Sequence, residues 1–303
     1  MLLDIENDLI DISGSKNVMI QELLSEHTTF RIGGPADYMI LPQSEQELAR
    51  VIKLCQSKNI PYFVMGNGSN LLVSDKGYRG LIIKLYNQFN EIEIVGNEIY
   101  AQAGALLTRI ANLAAKAGLS GMEPASGIPG TLGGAVVMNA GAYGMEMKDV
   151  ITRVRLLDKE GRIFELTGAD MNFGYRYSIC MSKEYIVLGA WLKLESGEEQ
   201  LIREKMREFK EQRTSKQPLE YPSAGSTFKR PEGHFAGKLI MDAGLRGYNV
   251  GDAQVSEKHC GFVINKGRAS CKDVMELIEH VQKVVLEKYQ VGLEMEIRKV
   301  GEM

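Results

Sequence analysis

Apolar residues recur along the chain at helical and strand spacings, and these spacings predict its first elements. Ser44 and Glu47 stand as in a capping box, the pattern that starts many helices. Apolar residues then repeat at i, i+3, i+4 and i+7, which predicts a helix with one buried face: Leu48, Val51, Ile52 and Cys55. The apolar run 62–65 predicts a buried strand that leads directly into a glycine-rich turn.

The pattern continues to alternate between the two periods. Strands are predicted at 81–83, 154–157, 163–166, 186–194 and 293–299, and a hairpin at 92–95 and 98–103. Helices are predicted at 106–117, at 198–213 and around 274–285. We interpret the charged helix at 198–213, with Ile202, Met206 and Phe209 on one face, as a bridge between two domains. The expected fold class is α+β.

Length and composition agree with two domains. The 303 residues suffice for about two domains of roughly 150 residues each. Hydrophobic residues make up 44% and charged residues 25%, so a substantial core is expected. We predict a nucleotide-binding N-terminal domain at 1–200, with subdomains at about 1–80 and 81–200, and a smaller C-terminal domain at 201–303.

Charge and cysteine usage narrow the functional classes. The formal net charge of -3 predicts no bulk attraction to nucleic acid. Residues 1–11 carry four acids and no base, unlike a secretory signal, and no run approaches the roughly 20 apolar residues of a membrane span. The cysteines form no C-x-x-C pair and the histidines lack ligand spacing, so we expect reduced thiols and no metal. A cytoplasmic monomer without nucleic-acid or membrane partners is predicted.

The first candidate for ligand chemistry is the turn after the strand at 62–65. It lacks the third glycine of a G-x-G-x-x-G fingerprint, because Leu71 stands there, so a Rossmann dehydrogenase is poorly supported. Glycines still let backbone N–H groups approach a phosphate, and a plain turn is an equally good interpretation. The predicted cofactor-binding residues of this turn are Gly66, Asn67, Gly68, Ser69 and Asn70.

A second glycine-rich segment begins at Gly127 and continues to Gly144. It belongs to a glycine-rich region with few charges, from Gly118 to Gly144, and a loop of that length is usually functional. Backbone amides lying along a diphosphate and a flat ring would require its glycines. Two such turns on separate elements favour one large dinucleotide, bound here by Gly127, Ile128, Pro129, Gly130, Thr131, Gly133 and Gly134.

At this point the sequence resembles a known family. Residues 28–37 (TTFRIGGPAD) and the two glycine-rich turns resemble the FAD domain of the vanillyl-alcohol-oxidase type. Four further segments resemble UDP-N-acetylenolpyruvoylglucosamine reductases: 174–178 (GYRYS), 222–229 (PSAGSTFK), 253–259 (AQVSEKH) and 293–297 (LEMEI). The resemblance implies a vanillyl-alcohol-oxidase-type FAD domain of two α/β subdomains, followed by a smaller α+β substrate domain.

The resemblance also implies a two-stage reaction. NADPH would reduce bound FAD, and hydride would then reach C3 of the enolpyruvyl group while C2 takes a proton. The family's catalytic arginine, serine and glutamate fall on Arg176, Ser226 and Glu296. These types suit the chemistry, because a guanidinium can pair with the carboxylate beside the developing charge and a hydroxyl can supply a proton.

The C-terminal domain would hold the UDP part of the substrate, with Lys229, Lys238, His259 and Asn265 as binding residues. The chain departs from many relatives in having Met295 where they have Pro. The interval from Arg176 to Ser226 is short, which is typical of the subtype that lacks a long substrate-covering loop and its tyrosine.

Simpler interpretations remain open for each catalytic candidate. Arg176 stands between two tyrosines and could stack on an aromatic ring, Ser226 could cap a turn, and Glu296 could face solvent from a strand. Two other functions also remain: an oxidase with the same FAD fold, and a nucleotide-binding regulator without catalysis.

Overall fold

The computed structural model describes residues 5–303, so residues 1–4, including Asp4 of the acidic start, lie outside the described part. The α-helices are α1 (Glu6–Ser13), α2 (Glu45–Lys58), α3 (Leu107–Lys116), α4 (Leu132–Met138), α5 (Ile179–Lys183), α6 (Glu199–Lys216), α7 (Ala236–Asp242) and α8 (Cys271–Tyr289). Short 3-10 turns lie at Ser15–Asn17, Leu24–His27, Pro124–Gly127 and Met147–Asp149.

The strands up to residue 142 are β1 (Val18–Leu23), β2 (Pro35–Ile40), β3 (Tyr62–Met65), β4 (Leu71–Val73), β5 (Tyr78–Lys84), β6 (Ile92–Val95), β7 (Glu98–Gln102), β8 (Leu119–Ser120) and β9 (Gly141–Ala142). The later strands are β10 (Met145–Glu146), β11 (Ile151–Leu157), β12 (Ile163–Thr167), β13 (Ile186–Lys193), β14 (Glu195–Ser196), β15 (Ser223–Ser226), β16 (Asn249–Val250), β17 (Ala253–Val255), β18 (Phe262–Asn265) and β19 (Arg298–Val300).

The chain forms two compact units, each assembled from separated stretches of sequence. The first contains the described residues as far as Ile20, together with Tyr38–Asn67 and Gly80–Arg213. The second contains Gln21–Asp37, Gly68–Arg79 and Thr214–Met303. These units differ from the predicted division at residue 200, because α6 continues within the first unit as far as Arg213 and because two early stretches join the second.

The first unit is built on an antiparallel sheet of order β12-β11-β13-β7-β6. Central β13 is almost wholly buried, as expected for a strand covered on both faces. Elsewhere in this unit β3 pairs in parallel with β5, Tyr62 opposite Leu81. One hydrophobic core joins these strands to the apolar faces of α2 and α3.

The second unit has its own core and its own sheet, of order β15-β18-β17-β16. The long helix α8 packs its apolar face into this core, and this face includes Val274, Leu277 and Ile278. At the opposite end of the sequence, β4 pairs in parallel with β19, Leu71 opposite Arg298. The two strands of this pair are more than 200 residues apart in the sequence. The second unit therefore contains early residues as well as the C-terminal part of the chain.

Most predicted elements are confirmed. The Ser44 hydroxyl accepts a bond from the Glu47 N–H at 3.2 Å, and α2 buries the four predicted apolar residues. Within residues 5–303, the Glu47 side chain does not accept a hydrogen bond from the Ser44 N–H, so only one half of the capping box forms. The Glu47 carboxylate instead accepts from the Gln43 N–H and the Ser13 hydroxyl, each at 2.9 Å.

The prediction of a continuous strand at 293–299 is wrong over its first five residues. Only Arg298–Val300 forms a strand, β19. Before it, Met295 makes an isolated antiparallel bridge to Phe228. The chain changes its pairing partner from Phe228 to β4 between these points, so no continuous ladder can form.

No helix within residues 5–303 has the length and apolar character needed to cross a membrane.

Candidate functional site

The two predicted glycine-rich turns meet in the first unit. A Cβ on Gly66, directly after β3, would lie 2.1 Å from Thr131 Oγ1. The Asn67 side-chain amide donates to the Pro129 carbonyl at 2.7 Å. Only glycine permits the first of these approaches, so the structure explains Gly66 by its contact with Thr131.

The segment 127–134 is itself held by short backbone bonds. The Gly130 carbonyl accepts from the Leu107 N–H at 3.1 Å, and the Gly133 N–H donates to the Ala103 carbonyl at 2.8 Å. A Cβ on Gly133 would lie 2.9 Å from the Ala103 Cβ, whereas a Cβ on Gly134 would meet only Thr131 Oγ1, at 3.9 Å. Packing therefore requires glycine at 133, while the surface at 134 is open to a ligand.

Gly68, Ser69 and Asn70 belong to the second unit. Gly68 has a φ of +64°, and a Cβ there would lie 2.3 Å from the His27 carbonyl oxygen. The backbone N–H groups of 67–70 donate no hydrogen bond to any residue in the described range 5–303. Amides without a protein acceptor suit the oxygens of a diphosphate, so these residues fit the phosphate part of FAD.

Arg213 is a feature that sequence patterns missed. Its side chain packs on Gly127, where a Cβ would lie 3.0 Å from Arg213 Cδ. Burial lowers the pKa of its guanidinium.

No hydrogen bond or ion pair joins the Arg213 guanidinium to another residue of the described chain. A desolvated cation against the predicted cofactor segment suits an anionic ligand group. The signal that could have found it is an arginine on the exposed face of a predicted helix, which is too common to be informative.

Arg176 lies in a tight turn of the first unit. Gly174 and Tyr177 exchange two backbone bonds, of 3.0 and 3.2 Å, and Arg176 has a left-handed φ of +54°. Its guanidinium carbon lies 4.9 Å from the centre of the Tyr175 ring, so the aromatic stacking considered from sequence is present. The side chain is half-buried.

Ser226 and Glu296 lie on neighbouring backbone segments of the second unit. Ser226 ends β15 opposite Phe262 and is exposed, while Glu296 is half-buried. The Glu296 N–H donates to the Thr227 carbonyl at 2.9 Å, and the Asn70 side-chain amide donates to the Glu296 carbonyl at 3.2 Å. The fold therefore brings together two of the three predicted catalytic residues, 70 positions apart, and fixes the glutamate backbone on both sides.

The four predicted substrate-binding residues all lie in the second unit but differ in setting. Lys229 is held by the Glu294 carboxylate, and Lys238 is exposed on α7. Lys238 pairs with the Asp242 carboxylate at 2.8 Å, so both ammonium groups lie near the surface and each already has a carboxylate partner.

The other two are partly or fully buried. Burial lowers the pKa of His259, and its Nδ1 accepts from the Gly261 N–H at 3.2 Å. Asn265 is buried, donates to the Phe30 carbonyl and accepts from two backbone N–H groups. Because these hydrogen bonds already use the side-chain amide, Asn265 contributes to the local structure. Its contact with substrate stays a prediction.

Comparison with known proteins shows which families this chain resembles. The profile of the "FAD binding domain" family matches residues 36–167, and that of the "UDP-N-acetylenolpyruvoylglucosamine reductase, C-terminal domain" matches residues 217–300. The UDP-N-acetylenolpyruvoylglucosamine reductase of Caldanaerobacter subterraneus subsp. tengcongensis is 54% identical over 294 residues, 97% of each chain. The Clostridium tetani reductase is 51% identical over 299 residues.

Solved structures agree with this. The UDP-N-acetylenolpyruvylglucosamine reductase of Thermus caldophilus superposes with a TM-score of 0.80 at 38% identity, over 92% of this chain and 97% of that one. A Phl p 4 variant described as a glucose oxidase shares only the fold, with a TM-score of 0.50 at 15% identity over 64% of this chain and 44% of that one.

These matches confirm the predicted fold class, a vanillyl-alcohol-oxidase-type FAD-binding fold joined to a C-terminal α+β domain. Both family profiles, the 51–54% identity with named relatives along nearly the whole chain, and the superposition point to the same family. The chain belongs to the UDP-N-acetylenolpyruvoylglucosamine reductase family.

Proposed function

We propose that this protein reduces UDP-N-acetylenolpyruvoylglucosamine to UDP-N-acetylmuramate, with NADPH as the hydride source and FAD as the bound cofactor. The observation that carries the proposal is the 54% identity with a named reductase along 97% of both chains. The pairing of the Ser226 and Glu296 segments supports it independently, because this reaction needs a proton donor and an acidic partner.

The cofactor would be held by the two glycine-rich turns. FAD supplies reversible storage of a hydride when it is bound. Gly134 offers an open surface without a Cβ, and the amides of 67–70 offer donors for the diphosphate oxygens. Arg213, desolvated against Gly127, offers a positive charge to an anionic part of the cofactor.

Arg176 would bind the carboxylate of the enolpyruvyl group. A guanidinium can make two parallel hydrogen bonds to a carboxylate, which fixes orientation as well as charge. When C3 gains hydride, negative charge spreads from C2 towards this carboxylate. A cation already in place then stabilises the transition state more than the ground state.

Ser226 would give the proton to C2. A hydroxyl is a weak acid, so it donates only to a strong base such as the carbanion-like C2 centre. Its exposed position at the end of β15 leaves the hydroxyl accessible to substrate. Glu296, whose backbone is held by Thr227 and Asn70, would share a proton with the developing enolate rather than repel it.

The remaining assignments are part of the same proposal. Residues 1–200 would bind FAD and residues 201–303 the UDP-sugar, which the two family matches at 36–167 and 217–300 support. Lys229 and Lys238 would contact the diphosphate of UDP, with His259 and Asn265 completing the binding surface. The protein would act as a cytoplasmic monomer without nucleic-acid or membrane partners, where peptidoglycan precursors for cell shape and division are made.

Two half-reactions test the proposal. Purified protein should carry non-covalent FAD that NADPH bleaches under anaerobic conditions, and the UDP-enolpyruvyl sugar should then restore the colour. An oxidase of the same fold would instead be reoxidised rapidly by oxygen after reduction by an alcohol or an aldonolactone. A nucleotide-binding regulator would give neither reaction. Protein that takes up no FAD, or reduced protein that the sugar does not reoxidise, would contradict the proposal.

A further inference from the structure

Asn139 is a fully buried polar residue at the C-terminal end of α4, inside the glycine-rich segment that runs from Gly127 to Gly144. It has a left-handed φ of +42° and caps the helix. Its side-chain amide donates to the Gly174 carbonyl at 3.0 Å and to the Glu146 carboxylate at 3.1 Å, and its oxygen accepts from the Lys148 N–H at 2.9 Å. Every polar atom of this side chain therefore has a partner within the first unit.

The Gly174 carbonyl accepts two hydrogen bonds that hold the turn containing Arg176. It accepts from the Tyr177 N–H, which closes the turn, and from Asn139, which ties the turn to α4. Arg176 sits inside this turn with a left-handed backbone that bulky residues adopt only when their surroundings impose it. A second bond, from the Ser178 hydroxyl to the Val137 carbonyl at 2.9 Å, fixes the far side of the turn to the same helix.

We infer that Asn139 is the positioning residue for Arg176. This inference rests on the proposed role of Arg176 as the carboxylate-binding arginine. Because α4 begins at the predicted cofactor segment and ends at Asn139, one short helix sets the position of the arginine turn relative to that segment. The amide is required rather than a carboxylate, since the position must donate to Gly174 and accept from Lys148 at once.

Asn139→Gly tests this, because glycine tolerates the φ of +42° and only the side chain is lost. We expect flavin reduction by NADPH to proceed at close to the wild-type rate. Reoxidation by the UDP-enolpyruvyl sugar should slow on the order of 10²-fold, the size expected when a reacting group is misplaced by about 1 Å. Amide hydrogen exchange at Tyr177 in ligand-free protein should become faster, which reports the turn without any catalytic assay.

Glu146→Ala is the matched control, because it removes the other acceptor of the Asn139 amide and leaves the bond to Gly174 intact. We expect it to keep both half-reactions close to wild type. In an Arg176→Lys background, Asn139→Gly should cause little further loss, since the two changes disturb one function. Should Asn139→Gly fail to fold, Asn139→Asp retains the acceptor and removes the donors, and the same selective loss is expected.

Equal slowing of both half-reactions, or a full additional loss in the Arg176→Lys background, would overturn the inference. So would unchanged exchange at Tyr177. The proposed function fails in a different way: Arg176→Lys alone would then leave reoxidation unaffected, while the exchange measurement would still report whether Asn139 holds the turn.

Discussion

Thr131 occupies the space in which a side chain on Gly66 would begin, because a Cβ on Gly66 would lie 2.1 Å from Thr131 Oγ1. The two residues come from the separate glycine-rich turns, and Asn67 adds a second link to the 127–134 segment through Pro129. The two glycine-rich turns are thus in direct contact. Some of their glycines serve this contact, and others are free to serve a cofactor.

The adjacent glycines Gly133 and Gly134 allow packing and cofactor binding to be tested separately. Gly134→Ala should lower FAD affinity and leave the stability of the apoprotein almost unchanged, because the new Cβ meets only Thr131 Oγ1 at 3.9 Å. Gly133→Ala should destabilise the apoprotein by about 1–3 kcal/mol, because its Cβ would overlap Ala103. FAD titration and urea unfolding of the apoprotein measure the two effects. Wild-type FAD affinity in Gly134→Ala would place the cofactor away from this surface.

Arg176→Lys should affect one half of the reaction. Lysine supplies a charge without the planar fork, so carboxylate pairing is lost while the surrounding turn is retained. Reduction of the flavin by NADPH should stay near normal, and reoxidation by the sugar should slow by about 10²–10³-fold. Rapid-mixing spectroscopy separates the two steps. Equal slowing of both would assign Arg176 to the cofactor or to the fold.

Ser226→Ala should remove the proposed proton donor with little change in stability, because Ser226 is exposed. FAD binding and reduction by NADPH should be intact. Reoxidation by the sugar should slow by at least about 10²–10⁴-fold, the usual loss for a general acid. Ser226→Cys should recover part of the rate, since a thiol is also a donor. Reoxidation of Ser226→Ala at the wild-type rate would transfer the role to Glu296 or water.

His259 should make stability depend on pH. Burial lowers its pKa in the folded state, so below the ordinary value of 6.5 the unfolded chain binds a proton that the folded chain does not. Stability should therefore fall as pH drops from 6.5 towards the folded pKa. His259→Asn keeps an acceptor for the Gly261 N–H without a titrating group, and should flatten this part of the profile. Urea unfolding at several pH values gives the comparison; identical slopes in both proteins would exclude the effect.

Local patterns in the sequence determined much of this protein. The Ser44 cap and the buried face of α2 follow from residues within one helix, and the hairpin of β6 and β7 follows from strand periodicity around a Gly96 turn. The family resemblance also depends on short segments in a fixed order, and it was confirmed by comparisons along nearly the whole chain.

Only the tertiary structure decided what depends on residues far apart in the chain. The strand predicted at 293–299 is interrupted because its partners, Phe228 and β4, come from distant segments. The difference between Gly133 and Gly134 depends on Ala103, and the setting of the Arg176 turn depends on Asn139. Periodicity reports which face of an element is buried, but not which backbone or side chain lies against it. Contacts of that kind form only when distant segments of one unit pack together, so no local pattern contains them.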